Sequence, residues 1–264
     1  AQGPADALSQ TVNTQPAMLL AGYACYRAWR DAGGPDALAL AGHSLGEYTA
    51  LVAADAIEFD DAVRLVRLRA QAMQQAVPLG SGAMAAILGL DDEAVAAACR
   101  EAAGDEVVEP VNFNAPAQVV IAGHAAAVAR ACEAAKARGA KRALPLPVSA
   151  PFHSSLLAPA GARLREALAR VAIRSPRVPV VNNVDARIES EPAGIADALV
   201  RQAYGAVRWV DVVRRLRELG VTTVVEFGPG KVLTGLVKRI EPELKSIAVH
   251  DPASLEAALQ EARA

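Results

Sequence analysis

Leu38-Ala39-Leu40-Ala41, Gly42-His43-Ser44-Leu45-Gly46 and Glu47-Tyr48-Thr49-Ala50-Leu51-Val52 follow one another as an apolar strand, a G-x-S-x-G pentapeptide and the start of a helix. In that setting the glycines let the backbone turn sharply from strand into helix. The Ser44 hydroxyl then stands exposed at the top of a sheet, beside helix N-terminal amides that lack an intrahelical partner. The pentapeptide alone does not decide this. With ten serines and 19 glycines in 264 residues, a random chain would show the bare pattern roughly one time in twenty. The strand before it and the helix after it carry the reading.

Working outward, residues 16 to 30 place Met18, Leu19, Tyr23, Tyr26 and Trp29 at helical spacing and stop at Gly33-Gly34-Pro35. With the buried strand Leu38 to Ala41 this makes the first half of an α/β unit. Phe59-Asp60-Asp61 leads into an amphipathic stretch from Ala62 to Ala76, in which Val63, Val66, Ala70 and Met73 share a face while Arg64, Arg67 and Arg69 fall on others. Pro78-Leu79-Gly80-Ser81-Gly82 breaks that pattern. The next segments read as strand (84 to 88), helix (92 to 103), strand (107 to 112), strand (118 to 122), helix (125 to 138) and strand (141 to 146). That β-α-β-β-α-β order is the signature of a ferredoxin-like unit. Asp91-Asp92 offers an N-cap and Asn114-Ala115-Pro116-Ala117 a hairpin-like connection. The larger pattern resumes with a helix at 158 to 171, a strand at 178 to 182, helices at 195 to 204 and 210 to 219, and a strand at 221 to 227. Alternating helices and β-branched runs predict an α/β fold with a mostly parallel sheet.

Composition narrows the function classes. With 53% hydrophobic residues and a net charge of -2, the chain can bury a substantial core. Only 4% of its residues are aromatic, so no surface is built to stack bases, and nucleic-acid binding is not expected. The first residues, Ala1-Gln2-Gly3-Pro4-Ala5-Asp6, have neither a basic nor an apolar targeting region. No apolar stretch approaches the ~18 residues that cross a bilayer, and the expectation is a cytoplasmic protein without membrane contact. Cys25, Cys99 and Cys132 are odd in number and far apart, without histidines at metal-ligand spacing. They read as buried structural thiols, and no metal site is expected. The chain begins with Ala and enters almost at once into a helical pattern, so residues upstream are expected to be missing from it.

A serine hydroxyl is a poor nucleophile until a base takes its proton, and the chain has four histidines. His43 points away if Ser44 faces a cleft, and so lines the pocket. His124 ends a strand of the inserted unit and reads as a turn residue. His153 lies in Ser149-Ala150-Pro151-Phe152-His153-Ser154-Ser155, a loop at the junction of the two units, where clefts form. His250, in Val249-His250-Asp251, sits where a Ser…Asp…His order would put a histidine. Position alone leaves His153 and His250 both open. Gly228-Pro229-Gly230-Lys231 lacks the spacing of a phosphate loop, so nucleotide hydrolysis is not supported.

Several motifs in the same order go further: Gly-His-Ser-Leu-Gly-Glu-Tyr (42 to 48), Arg69 with Ala-Gln-Ala-Met-Gln-Gln-Ala (70 to 76), Pro-Val-Asn-Phe-Asn-Ala-Pro (110 to 116), Ala-Pro-Phe-His (150 to 153), Val-Asn-Asn-Val (181 to 184) and Glu-Phe-Gly-Pro-Gly (226 to 230). Together they resemble the malonyl-CoA:acyl carrier protein transacylases, over essentially the whole chain. The resemblance implies an α/β-hydrolase-like core (1-76 and 149-264) with an inserted ferredoxin-like subdomain (77-148). It also implies ping-pong transfer of a malonyl group from coenzyme A to the phosphopantetheine thiol of acyl carrier protein for fatty-acid synthesis, with malonyl-CoA as substrate and no bound cofactor. By that resemblance Ser44 carries the acyl group, His153 is its base, and the Leu45 amide is one oxyanion donor. Arg69 pairs with the malonyl carboxylate, although its position alone reads as a solvated helix face. A guanidinium fork suits a carboxylate bidentately. Phe152 limits room for a methyl branch, and the Gln202 backbone carbonyl orients the histidine. Gln15 lines the pocket; on position alone it is a polar residue leading a helix with Pro16 at N1. Lys136, Arg138, Lys141, Arg142, Lys238 and Arg239 could meet the acidic carrier or the CoA phosphates, or form an ordinary solvated surface.

The chain departs from that family at one place. The family's Gly-Gln-Gly-Ser-Gln motif, whose glutamine amide supplies the other oxyanion donor from an N-terminal strand and loop, is not in this sequence. The expectation is a fragment of a longer protein, with a sheet one member short. Two other readings stand beside the transferase: a serine hydrolase or thioesterase using Ser44 and His250, and a non-catalytic carrier-protein or acyl-CoA binding module.

Overall fold

The computed structural model describes residues 3–148 and 150–263. Ser149, with which the junction loop begins, lies outside the described residues, as do Ala1, Gln2 and Ala264. The chain runs α1 (Ala5–Leu8), α2 (Thr11–Asp31), β1 (Leu40–Ala41), α3 (Gly46–Ala53), α4 (Phe59–Gln75), β2 (Gly82–Leu88), α5 (Asp92–Ala103), β3 (Val108–Ala115), β4 (Gln118–His124), α6 (Ala125–Ala137) and β5 (Arg142–Pro145). A 3-10 turn at Ser155–Leu157 then leads to α7 (Ala158–Leu168), β6 (Val180–Val181), α8 (Pro192–Gln202), α9 (Trp209–Glu218), β7 (Thr223–Phe227), α10 (Val232–Ile240), β8 (Lys245–Val249) and α11 (Pro252–Arg263).

Three local expectations need correction. β3 runs through Asn114 and Ala115, which leaves only Pro116 and Ala117 for the connection to β4. Pro16 is not at the start of its helix, because α2 begins at Thr11 and runs through it. A proline there leaves the carbonyl four residues back without its helical donor. Arg67 Nη1 supplies one, donating to the Val12 oxygen at 2.8 Å. The strand before the pentapeptide is also shorter than its apolar run, since only Leu40 and Ala41 pair and Leu38 is 58% exposed.

The core strands are parallel but come as two pairs, β1 with β6 and β7 with β8, and among the described residues no ladder joins β1 to β7. Side chains alternate faces along a strand, and both faces of β1 are covered. Leu40 packs on the cluster of Leu19, Tyr48, Leu51 and Val180, while Ala39 and Ala41 pack on that of Val181, Val207, Trp209 and Val213. Helices on both faces of parallel strands make the core an α/β layer structure.

The inserted unit is a four-stranded antiparallel sheet in the order β3-β4-β2-β5, the ferredoxin-like arrangement read from the sequence. Its α5 is capped as expected, with the Asp91 carboxylate accepting the Ala94 N–H at 2.8 Å. Ala85, Ile87, Val119 and Ile121 bury one sheet face under α5 and α6. Met84, Val111 and Val120 on the other face pack with Phe152, which also touches the core cluster of Met73 and Leu157. β3 is an edge strand with a bulge at Val111, and its outer edge faces the core. Val207 N–H donates to the Val111 oxygen at 2.8 Å and the Phe113 N–H to the Val207 oxygen at 3.0 Å, tying the unit to the core. Among the described residues no helix is long and apolar enough to cross a membrane.

Candidate active site

The turn between β1 and α3 is held by close approach and by strain. A Cβ on Gly42 would lie 2.0 Å from the Gly46 carbonyl carbon, so only glycine fits there, whereas a Cβ on Gly46 would meet nothing within 4 Å. Ser44 adopts a φ of 52°, a left-handed conformation that costs a non-glycine residue about 1–3 kcal/mol and persists only where its surroundings enforce it. They do so through side chains. Asn183 Oδ1 accepts the Ser44 N–H at 2.7 Å while Asn183 Nδ2 donates to the Gly42 oxygen at 2.8 Å. Gln202 Nε2 donates to the Ser44 oxygen at 2.8 Å. The Leu45 amide follows directly, at the start of α3, where first-turn N–H groups have no intrahelical acceptor.

His153 reaches this turn from the junction loop and is itself held at a φ of 66°. Its Nδ1 lies 2.8 Å from the Gln202 backbone oxygen, and since a carbonyl only accepts, the proton is on Nδ1. Nε2 is therefore the lone-pair nitrogen, and it accepts from Ser44 Oγ at 2.7 Å. Burial, with the Arg69 charge adding to it, pushes the imidazole down to about 3. His153 is thus neutral near neutral pH and able to take a proton. The geometry brings Ser44 to His153. His250 stands instead at the end of β8, its Nε2 3.6 Å from Asp251 Oδ2.

Arg69 is only 1% exposed, which corrects the reading that placed it off the buried face of its helix. Leu65, Val66, Ala70 and Met73 are buried around it on α4, and the buried stripe simply includes a cation. Nη1 donates to Gln15 Oε1 at 2.7 Å, and Nη2 to Gln202 Oε1 at 2.9 Å and to Ser44 Oγ at 3.1 Å. The Tyr48 ring lies 5.4 Å from the guanidinium carbon, and Nε is buried without a partner. Burial holds the guanidinium below its ordinary pKa. A buried cation with an unused donor, beside a nucleophile, is a place for an anion.

Gln15 is in the second turn of α2, where Nε2 donates to Thr11 Oγ1 at 2.9 Å and Oε1 is presented to Arg69. Phe152, adjacent to His153, lies between the core and the inserted sheet. His43 turns away from Ser44, with Nε2 2.8 Å from Asn114 Oδ1 and its ring 5.5 Å from that of Trp209, so it too links the two units. His124 Nδ1 accepts the Val107 N–H at 2.9 Å. The sequence motifs include both Asn183 and Glu47 but assign neither a role. Their signal was a polar residue ending an apolar strand and an acid in the first turn of the helix after the serine.

Cys99 and Cys132 are buried, Cys25 is half-buried, and burial raises all three thiols, Cys99 to about 12. Among the described residues no three His, Cys, Asp or Glu side chains are grouped to hold a metal. The turn at 228 to 231 leads into α10, whose first amides are already taken. Glu226 accepts from Leu233 N–H at 3.1 Å and from Thr234 N–H at 2.7 Å. A surface hollow of about 490 Å³ between Asp185, Ala186, Arg187, Ile188 and Arg215 shares no residue with the Ser44 network.

This arrangement has known counterparts. Residues 1–253 match the model of the acyl transferase domain family. The chain is 56% identical over 259 residues to the malonyl CoA-acyl carrier protein transacylase of Escherichia coli strain K12, covering 98% of this chain and 84% of that protein. The crystal structure of acyl-carrier-protein S-malonyltransferase from Burkholderia pseudomallei superposes with a TM-score of 0.97 at 65% identity, covering 98% of this chain and 85% of that one. A malonyl transacylase solved in complex with a type II polyketide acyl carrier protein superposes equally well, with a TM-score of 0.97 at 52% identity over 98% of this chain and 84% of that one. With its paired serine and histidine, its buried arginine and a match over 98% of its length, this chain belongs to the acyl transferase family and, within it, to the malonyl-CoA:acyl carrier protein transacylases.

Proposed function

We propose that the chain carries a malonyl group from coenzyme A to acyl carrier protein through an ester on Ser44. The observation that carries this reading is the convergence of two groups on one oxygen, His153 Nε2 at 2.7 Å and Arg69 Nη2 at 3.1 Å from Ser44 Oγ. His153 takes the hydroxyl proton as Oγ attacks the thioester carbon. The tetrahedral oxyanion meets the Leu45 amide. Collapse breaks the C–S bond, and the departing CoA sulfur takes the proton from His153. In the second half His153 deprotonates the carrier's phosphopantetheine thiol, its sulfur attacks the malonyl ester, and Ser44 Oγ leaves with the proton. Arg69, through its unused Nε–H, receives the malonyl carboxylate, with Gln15 and Gln202 fixing its plane. Phe152 crowds the site against a branched substrate.

Malonyl-CoA is thus the donor, acyl carrier protein the acceptor and the cytoplasm the compartment. On this reading the described residues of 1-76 and 149-264 form the core and 77-148 the ferredoxin-like subdomain. Of the basic residues offered to the carrier, Lys136 and Arg138 are engaged by Glu133 and Glu101, and Arg239 bonds to Gln118 and Pro116. Lys141, Arg142 and Lys238 are left as the better docking candidates. The test is transfer from the isolated acyl-enzyme. Freed of CoA thioester and mixed with phosphopantetheinylated carrier protein, it passes malonyl to the carrier thiol and returns unmodified. Release of free malonate without transfer would instead mark a thioesterase.

A further inference from the structure

Glu47 sits in the first turn of α3, 2% exposed, and contributes no atom to the Ser44–His153–Arg69 contacts. Its Oε2 accepts two hydrogen bonds, from the Asn183 N–H at 2.9 Å and from Gln202 Nε2 at 2.9 Å. The second matters because the Gln202 carboxamide has two different ends. Nε2 also donates to the Ser44 oxygen at 2.8 Å, and Oε1 accepts from Arg69 Nη2 at 2.9 Å. Turned over, the amide would point N–H groups at the guanidinium, donor against donor, and its oxygen at the Ser44 carbonyl and the Glu47 carboxylate, acceptor against acceptor. An acceptor at Glu47 Oε2 therefore joins the Ser44 carbonyl in fixing which end faces Arg69. Arg69 Nη2 in turn lies against Ser44 Oγ.

We infer that Glu47 is a positioning residue for malonyl recognition: by accepting from Gln202 it locks the carboxamide that aims the Arg69 guanidinium. The inference rests on the transferase reading above. What it requires of residue 47 is an acceptor oxygen at the right reach, not a negative charge. Burial raises the Glu47 carboxyl to about 7, and a proton on Oε1 leaves the accepting oxygen in place.

The test compares single-turnover acylation by malonyl-CoA and by acetyl-CoA, because the arginine has a carboxylate to bind only in the first. In Glu47→Leu, which has no acceptor, the malonyl rate is expected to fall about tenfold more than the acetyl rate, the worth of one charge-assisted hydrogen bond. Glu47→Gln keeps an oxygen at the same reach and should hold the parent malonyl-to-acetyl ratio. Glu47→Asp keeps the charge but stops one methylene short, and should lose part of that ratio. If Glu47→Leu does not fold, the Gln and Asp variants still decide. Equal losses for both substrates in the variants, or a ratio kept by Asp and lost by Gln, would overturn the inference in favour of a structural or a charge role. Failure of the parent protein to form any malonyl adduct would instead sink the underlying transferase reading.

Discussion

Arg69→Lys keeps the positive charge and removes the fork. The guanidinium uses one proton on Gln15, at 2.7 Å, and two on Gln202 and Ser44, at 2.9 and 3.1 Å. An ammonium on a flexible stem cannot hold those three acceptors in one plane and also turn a donor to a carboxylate where Nε–H stands. A hydrogen bond to a charged group contributes about 1.5–3 kcal/mol, so the loss of one from the malonyl carboxylate lowers acylation about ten- to 150-fold. Acetyl-CoA has no carboxylate to lose, and acylation by it should change far less. The orphaned Gln15 and Gln202 oxygens add a stability cost of about 1–3 kcal/mol each where no water reaches them. The assay is rapid-quench release of CoA in the first turnover, with both thioesters well below saturation. A malonyl rate that falls by the same factor as the acetyl rate would refute the reasoning, because Arg69 would then serve only the fold.

Removing that charge also bears on the base: the Arg69 charge adds to burial in depressing His153, so Arg69→Gln should raise the imidazole pKa in an NMR titration, and an unchanged value would deny their coupling. His153 gives an acid-stability signature. Its folded value of about 3 lies below the ordinary 6.5, so its contribution is present above 6.5 and is lost as pH falls through 3, on the order of a few kcal/mol. Urea midpoints should drop less on acidification in His153→Gln than in the parent; equal drops would contradict the depressed value. Glu47 runs the other way, since a carboxyl raised from 4.5 to about 7 contributes stability below 4.5 that is lost as pH rises through 7. Glu47→Gln should therefore gain on the parent between about pH 5 and about pH 8, and a constant difference would count against it. Gly42→Ala should fail to fold, with Gly46 backbone 2.0 Å from the new carbon, while Gly46→Ala should leave the melting temperature unchanged; equal tolerance at both positions would be wrong for this turn. Phe152→Ala should admit a methyl-branched malonyl thioester to Ser44, detected by adduct mass, and continued exclusion would move the steric gate elsewhere.

Periodicity made the order and type of the inserted unit's six elements legible, with ends off by up to three residues, as where β3 runs on to Ala115. Its helices bury one clean stripe and its strands alternate between two faces, so α5 falls at Asp92–Ala103 as read. The same logic misplaced Arg69, because a pattern that equates buried with apolar has no entry for a cation held by Gln15, Gln202 and Tyr48. Pro16 misled for a related reason. The donor that rescues the Val12 carbonyl comes from Arg67, on another helix, and no local rule anticipates it. His153 and His250 could not be separated by position, since what chooses between them is the fold-back of the junction loop onto the Gln202 carbonyl. Asn183 and Glu47 stayed silent because each bonds to backbone or to another amide. Such roles exist only once residues more than a hundred positions apart have met.

Intact-mass measurement after brief exposure to malonyl-CoA tests the account most directly. The parent protein should gain one malonyl mass, mapping to Ser44 on digestion, and Ser44→Ala should gain none. An unmodified parent protein, or an adduct that survives in Ser44→Ala, would contradict it.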